Sequence, residues 1–77
     1  MKNIEENVRK FLKEFHANIP EDTEADLFAL GVLDSLGTAR LIARIEAQYN
    51  IELKVEDIVP ENFVNISGIV SLVKEYI

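Results

Sequence analysis

At 77 residues and 8.7 kDa the chain is expected to form one domain, because two cores would each lack the apolar surface to offset the backbone entropy of folding. A hydrophobic share of 48% and a charged share of 29% exclude disordered and low-complexity classes, and the absence of Cys excludes disulfides and thiolate metal sites. Eight Lys plus Arg against fourteen Asp plus Glu give a net charge of −6, a field that repels phosphate backbones and anionic lipids, so no nucleic-acid partner is expected.

Ile4, Val8, Phe11, Leu12 and Phe15 mark one apolar stripe at helical spacing, with Asn3 and Glu6 placed as a capping box. A first helix is therefore predicted from Ile4 to His16, with His16 closing it as a favourable C-terminal cation. Between Ala17 and Asp34 the period fails and Pro20 blocks helix continuation. This long connection, with Glu21, Asp22, Glu24 and Asp26 ahead of Leu27, Phe28, Leu30, Val32 and Leu33, is predicted to press its apolar residues onto the core.

A second helix is predicted from Leu36 to Asn50 with Ser35 as N-cap, its inward arc being Thr38, Leu41, Ile42, Ile45 and Tyr49. Leu36, Arg40, Ala43, Arg44 and Ala47 fall on the opposite face, where an exposed Leu beside two Arg and two Ala reads as a contact surface. Ile51, Leu53 and Val55 alternate but have no second run to pair with, so an extended connector is expected. A short third helix over Val55 to Val59 would end at Pro60. The last helix, capped by Asn65, carries Ile66, Ile69, Val70, Val73, Tyr76 and Ile77 and reaches the C-terminus despite Gly68. The expected fold is all-α: a small four-helix bundle of three long helices and one short, with a long loop between the first two. Nothing requires more than a monomer.

Three sites fail on spacing or partners. Asp22 to Asp26 begins like a calcium loop, but the sixth position is Leu27 and the twelfth Leu33. Asp34-Ser35-Leu36-Gly37 lacks the first Gly of a nucleophile elbow and has only His16 as a base. No metal-ligand spacing such as HExxH occurs, so neither a catalytic metal nor an enzyme is expected. Met1-Lys2-Asn3-Ile4 opens no signal-peptide core and no membrane span is read, which places the chain in the cytoplasm.

What remains is Ser35 at the start of an amphipathic helix, beside the unpaired N–H groups of its first turn. Those groups favour an attached phosphate, and another enzyme's metal and base could activate the hydroxyl. A plain N-cap is the other reading of Ser35.

Leu30-Gly31-Val32-Leu33-Asp34-Ser35-Leu36, followed by an apolar helix and by Val55-Glu56-Asp57-Ile58-Val59-Pro60-Glu61-Asn62-Phe63 before a final helix, resembles acyl carrier proteins and related peptidyl and aminoacyl carriers. The likeness spans nearly the whole chain, so 1–77 reads as one acyl-carrier-like domain. The resemblance implies that Ser35 receives 4′-phosphopantetheine from coenzyme A through a phosphopantetheinyl transferase. The arm's thiol would then hold acyl or aminoacyl groups as thioesters. It further implies that Asp34 engages the transferase and its magnesium and that Leu36 is a partner contact. Loading would fall to an adenylating ligase or a synthase, with condensing or tailoring enzymes as further partners.

Gly37, Arg40 and Ala47 stand where fatty-acid carriers commonly place acids, and such a change redirects partner choice more than fold. A specialised carrier is therefore expected instead of the housekeeping fatty-acid member. Asp-Ser-Leu-Gly-Thr is also similar to the start of the same helix in the D-alanyl carriers of wall teichoic acid pathways, while the rest of the chain does not single out that branch. The alternative is an unmodified helical adaptor that binds one protein through Leu36, Arg40 and Arg44.

Overall fold

The computed structural model describes residues 3–77. Its elements are α1 (Ile4–Lys13), α2 (Ser35–Tyr49), a 3₁₀ turn (Val55–Asp57), α3 (Pro60–Phe63) and α4 (Ile66–Lys74). The described residues are thus all helical or irregular, three longer helices and one short, with the long 14–34 connection between the first two. α1 packs against α4 and α2, and α3 against α4.

α1 forms where its caps and stripe put it. The Asn3 side chain accepts the Glu6 amide at 2.8 Å, and the Glu6 carboxylate accepts the Asn3 amide, closing the capping box. Val8, Phe11 and Leu12 are buried, joined by a polar residue, Asn7, whose amide donates to the Tyr49 hydroxyl at 2.7 Å. Such a buried amide is tolerable only because it is satisfied. The helix stops at Lys13 and not at His16: Glu14 and Phe15 donate to Phe11 and Leu12, three residues back, tightening the last turn. His16 lies past the end, its Nδ1 accepting the Asn18 amide at 3.3 Å.

The long connection sits tightly on the bundle. Leu27, Val32 and Leu33 are buried and Phe28 half-buried, but Leu30 is 56% exposed, contrary to expectation, because the turn from Asp26 to Gly31 points it outward. Asp26 caps that turn, its Oδ1 accepting the amides of Phe28 and Ala29. The Leu27 amide donates to the Val64 carbonyl at 2.7 Å and the Ser67 amide to the Thr23 carbonyl at 3.0 Å, tying the loop to the α3–α4 junction.

Arg9 fixes the other end of the loop, donating to the carbonyls of Pro20 at 2.7 Å and Glu21 at 2.8 Å and to Glu5 at 3.0 Å. Arg9→Met, which keeps the apolar stem and removes the donors, is expected to lower stability by about 1 kcal/mol, the low end of the scale for charge-assisted hydrogen bonds because the Pro20 bond is only partly buried and the Glu21 bond is exposed. Urea unfolding followed by circular dichroism measures this.

α2 buries Leu41 and Ile45 fully and ends at Tyr49, one residue early, with Asn50 left-handed at φ 55° as its C-cap. The Val55–Val59 helix is not formed. A 3₁₀ turn occupies Val55–Asp57, and Pro60 starts a helix instead of ending one, since at the first helical position its missing N–H is no loss. Val59 before it is extended, as a pre-proline residue prefers. α4 is capped by Asn65, whose Oδ1 accepts the Gly68 amide at 2.7 Å, and ends at Lys74, short of the C-terminus. None of the described helices is long and apolar enough to cross a membrane.

Candidate functional site

The site is built at the start of α2. Val32 and Leu33, 5% and 3% exposed, anchor the incoming chain in the core, so the next residue leaves at the surface. That residue, Asp34, is extended (φ −135°, ψ −171°) and is the N-cap, its Oδ1 accepting the Gly37 amide at 2.7 Å. Its carbonyl also accepts the Thr38 amide and hydroxyl, each at 2.8 Å. Gly37 makes this close cap possible: a Cβ there would stand 3.1 Å from Asp34 Oδ1 and 3.6 Å from Phe15.

Ser35 is therefore not the N-cap that its residue type suggests but the first helical residue, exposed and with no hydrogen-bond partner for its hydroxyl among the described residues. The amides of Ser35 and Leu36 find no backbone acceptor there either, and the first turn of α2 holds no acid. The helix thus opens on free donors at its positive end.

Beside Ser35 lies an open groove of about 500 Å³, bordered by Asp34 and Ser35 and lined by Phe28, Thr38, Ile58, Val59, Pro60 and the buried Phe63. The 51–59 wall of this groove is pinned from below. Leu53 donates its amide to Glu46 at 2.9 Å, and Lys54 donates its amide to the Tyr76 hydroxyl at 3.0 Å. Tyr76 in turn donates to the Asp57 carboxylate, and Asn62 donates to the Asp57 carbonyl at 2.8 Å. Spacing alone does not reveal this support, since its members are up to 22 residues apart.

The hydrogen bond to Asp57 raises the Tyr76 hydroxyl above its ordinary pKa of 10.0, further than its acceptance of the Lys54 amide lowers it. A raised folded-state value means stability that is complete below the ordinary pKa and lost as pH climbs through the folded one. The stability difference between wild type and Tyr76→Phe is therefore expected to be constant from pH 7 to 9 and to shrink at alkaline pH above 10.0. Thermal melts across that range, with tyrosine absorbance at 295 nm, measure it.

The five outward residues of α2 are all exposed, Leu36 at 61%, but they do not form one equivalent set. Asp34, Ser35 and Leu36 gather at the helix start, while Ala43, Arg44 and Ala47 lie two to three turns along. Arg44 is committed within the protein: its Nε and Nη2 donate to Glu14 at 2.9 and 2.7 Å, and its guanidinium lies 4.9 Å from the centre of the Phe11 ring. The pairing holds Glu14 below and Arg44 above their ordinary pKa values, through the hydrogen bond first and the opposite charge second for Arg44, with desolvation opposing on both. Arg40 has no ion-pair partner among the described residues.

The family model described as "Phosphopantetheine attachment site" matches residues 4–73. Curated relatives include the D-alanyl carrier proteins of Streptococcus pyogenes serotype M5 (strain Manfredo), serotype M49 (strain NZ131) and serotype M1. Each is 36% identical over 74 residues, covering 95% of this chain and 94% of the relative. No solved structure gave a significant match. With the match running from the first residue of α1 to within one residue of the end of α4, the chain belongs to the family of carrier proteins defined by a phosphopantetheine attachment site.

Proposed function

We propose that Ser35 is the residue that accepts 4′-phosphopantetheine and that the protein is an aminoacyl carrier with a D-alanyl group as its cargo. The observation that supports the site above all is the division of labour at the start of α2: Asp34 makes the cap, so the Ser35 hydroxyl is exposed and unengaged. The surroundings suit the group. A phosphodiester on Ser35 would meet the free amides of the first turn and no acid within it, and an open, largely apolar groove adjoins the attachment point. When attached, the arm supplies a terminal thiol that holds the cargo as a thioester.

In this reading the chain's own residues bind and orient, and they catalyse nothing. Asp34 Oδ1 is held by the Gly37 amide, which leaves Oδ2 pointing at no described donor and open to the magnesium of a phosphopantetheinyl transferase. Leu36, 61% exposed one residue further on, is an apolar anchor for that enzyme. The cargo assignment rests on the 36% identity to D-alanyl carrier proteins and on Gly37, Arg40 and Ala47 of α2, which stand where fatty-acid carriers commonly place acids. An adenylating ligase then does the loading, with the protein a monomer in the cytoplasm. An adaptor that is never modified is the competing reading, and it has no use for a freed hydroxyl.

Intact mass separates them. Incubated with coenzyme A, magnesium and a broad-specificity transferase, the protein is expected to gain the mass of one phosphopantetheine. The loaded arm is then expected to gain one alanyl group from ATP, D-alanine and a D-alanine-activating ligase. No gain in the first step leaves the adaptor; a first gain without the second removes the cargo assignment alone.

A further inference from the structure

The groove beside Ser35 has two unlike sides. One, with Ser35 and Thr38, belongs to α2, a 15-residue helix held in the core by the fully buried Leu41 and Ile45. The other, with Ile58 and Val59, belongs to a strap, residues 51–59, that runs from the left-handed Asn50 (φ 55°) to the start of α3. The near end of the strap is firmly anchored: Leu53 is buried, its amide donates to the Glu46 carboxylate at 2.9 Å, and the Ile51 amide donates to the Glu46 carbonyl at 3.2 Å. The far end is not anchored in this way. No residue of 54–59 is buried, and Val55 is 83% exposed.

With no apolar side chain to seat it, 54–59 must be placed by hydrogen bonds, and these converge on one atom. The amides of Asp57 and Ile58 donate inside the strap, to the carbonyls of Lys54 and Val55. Asn62 bonds to the carbonyls of Asp57 and Val59, joining the strap to the helix that follows it in sequence. Among the described residues, the hydrogen bonds from 54–59 to a distant part of the chain are those of the Tyr76 hydroxyl, which accepts the Lys54 amide at 3.0 Å and donates to the Asp57 carboxylate. Tyr76 follows the end of α4, its ring half-buried against the core and its amide donating to the Val73 carbonyl at 2.9 Å.

We infer that Tyr76 is the latch of this wall, a positioning residue that acts through Asp57 and the Lys54 amide to hold 54–59 at the end of α4 and so keep the groove beside Ser35 in shape. Without the hydroxyl the strap stays tethered at Asn50 and at α3 while its middle swings free, a local opening that leaves the rest of the bundle folded. The latch itself is independent of any modification of Ser35, and its effect on the arm rests on the carrier reading. An arm lying in the groove has α2 on one side and the latched strap on the other, and it loses the second when the latch opens.

The latch is read on the unmodified protein by residue-resolved amide hydrogen exchange in NMR. Tyr76→Phe keeps the ring on the core and removes only the hydroxyl. It is expected to speed exchange of the Asp57 and Ile58 amides at least about tenfold, with α1 and the centre of α2 within about twofold of wild type. Neither amide donates to Tyr76, so faster exchange there reports release of the segment and not the missing acceptor. Asp57→Ala is expected to speed the Ile58 amide at least about threefold, and Asp57→Asn, whose amide oxygen still accepts, by less than about twofold. For the effect on the arm, the chain has no Cys, so the arm's thiol is the one thiol of the modified protein. Its alkylation by iodoacetamide is expected to run at least about twofold faster in Tyr76→Phe, toward the rate of free pantetheine, as the strap opens. Unchanged exchange at Asp57 and Ile58 overturns the latch, as does an equal rise throughout the bundle, which would make Tyr76 a general prop of the fold. An unchanged thiol rate overturns its hold on the groove. Failure of the carrier reading shows separately, as absence of mass gain at Ser35 in wild type, and leaves the exchange test intact.

Discussion

Ser35→Ala is expected to end all mass gain from coenzyme A while leaving the fold and its stability in place. The two halves of that expectation come from different atoms. Modification needs a hydroxyl oxygen at this position, and Ala offers none, so the loss is complete and not graded. Stability is untouched because the cap belongs to Asp34, whose Oδ1 accepts the Gly37 amide at 2.7 Å whatever occupies the next position. At an exposed first helical position Ser→Ala is close to neutral, within about 0.5 kcal/mol. Had Ser35 been the cap, the same change would cost about 1 kcal/mol. Intact mass after incubation with coenzyme A and a transferase reads the first half, and the urea midpoint reads the second. Mass gain in the Ala variant would move the attachment site elsewhere, and a markedly lower midpoint would return Ser35 to a structural role.

The difference between Ser35 and Asp34 marks the limit of what the sequence displays. The stripes of α1, α2 and α4 were legible because their inward residues recur every three to four positions and bury together, as Val8, Phe11, Leu12, Leu41, Ile45, Ile66, Ile69 and Val73 do. Asn3 and Asn65 were legible as caps because each precedes an apolar run with no rival beside it. Asp34 and Ser35 are adjacent and both are good cap types, and which one serves is decided by how deep Leu33 is drawn into the core, a tertiary matter. Pro60 reads equally as an end or a beginning until the chain direction around it is known. Leu30 differs from Leu33 only in which way its turn faces. Arg44 shares a helical face with Arg40, and its partner Glu14 stands 30 residues away on another helix, beyond the reach of any local pattern.

Asp34 can be tested for two functions at once, because one substitution separates them. Asp34→Asn keeps a carbonyl oxygen where Oδ1 accepts the Gly37 amide, and Asn and Asp are nearly equal as caps. What it removes is the negative charge, and with it Oδ2 as a magnesium ligand, since hard cations favour carboxylates over amides. The expected result is a fall in transferase kcat/KM of at least about tenfold, equivalent to about 1.4 kcal/mol of transition-state binding. The urea midpoint is expected to change little, by the few tenths of a kcal/mol that a charge at the helix's positive end contributes. Asp34→Ala removes both functions and is expected to show the same kinetic loss together with about 1 kcal/mol of destabilisation from the missing cap. The kinetic loss common to both variants, against a stability loss in Ala alone, is a pattern that a purely structural Asp34 does not produce. If Asn is modified at the wild-type rate and only Ala is impaired, Asp34 serves the helix and not the enzyme, and the magnesium contact must be sought on another residue.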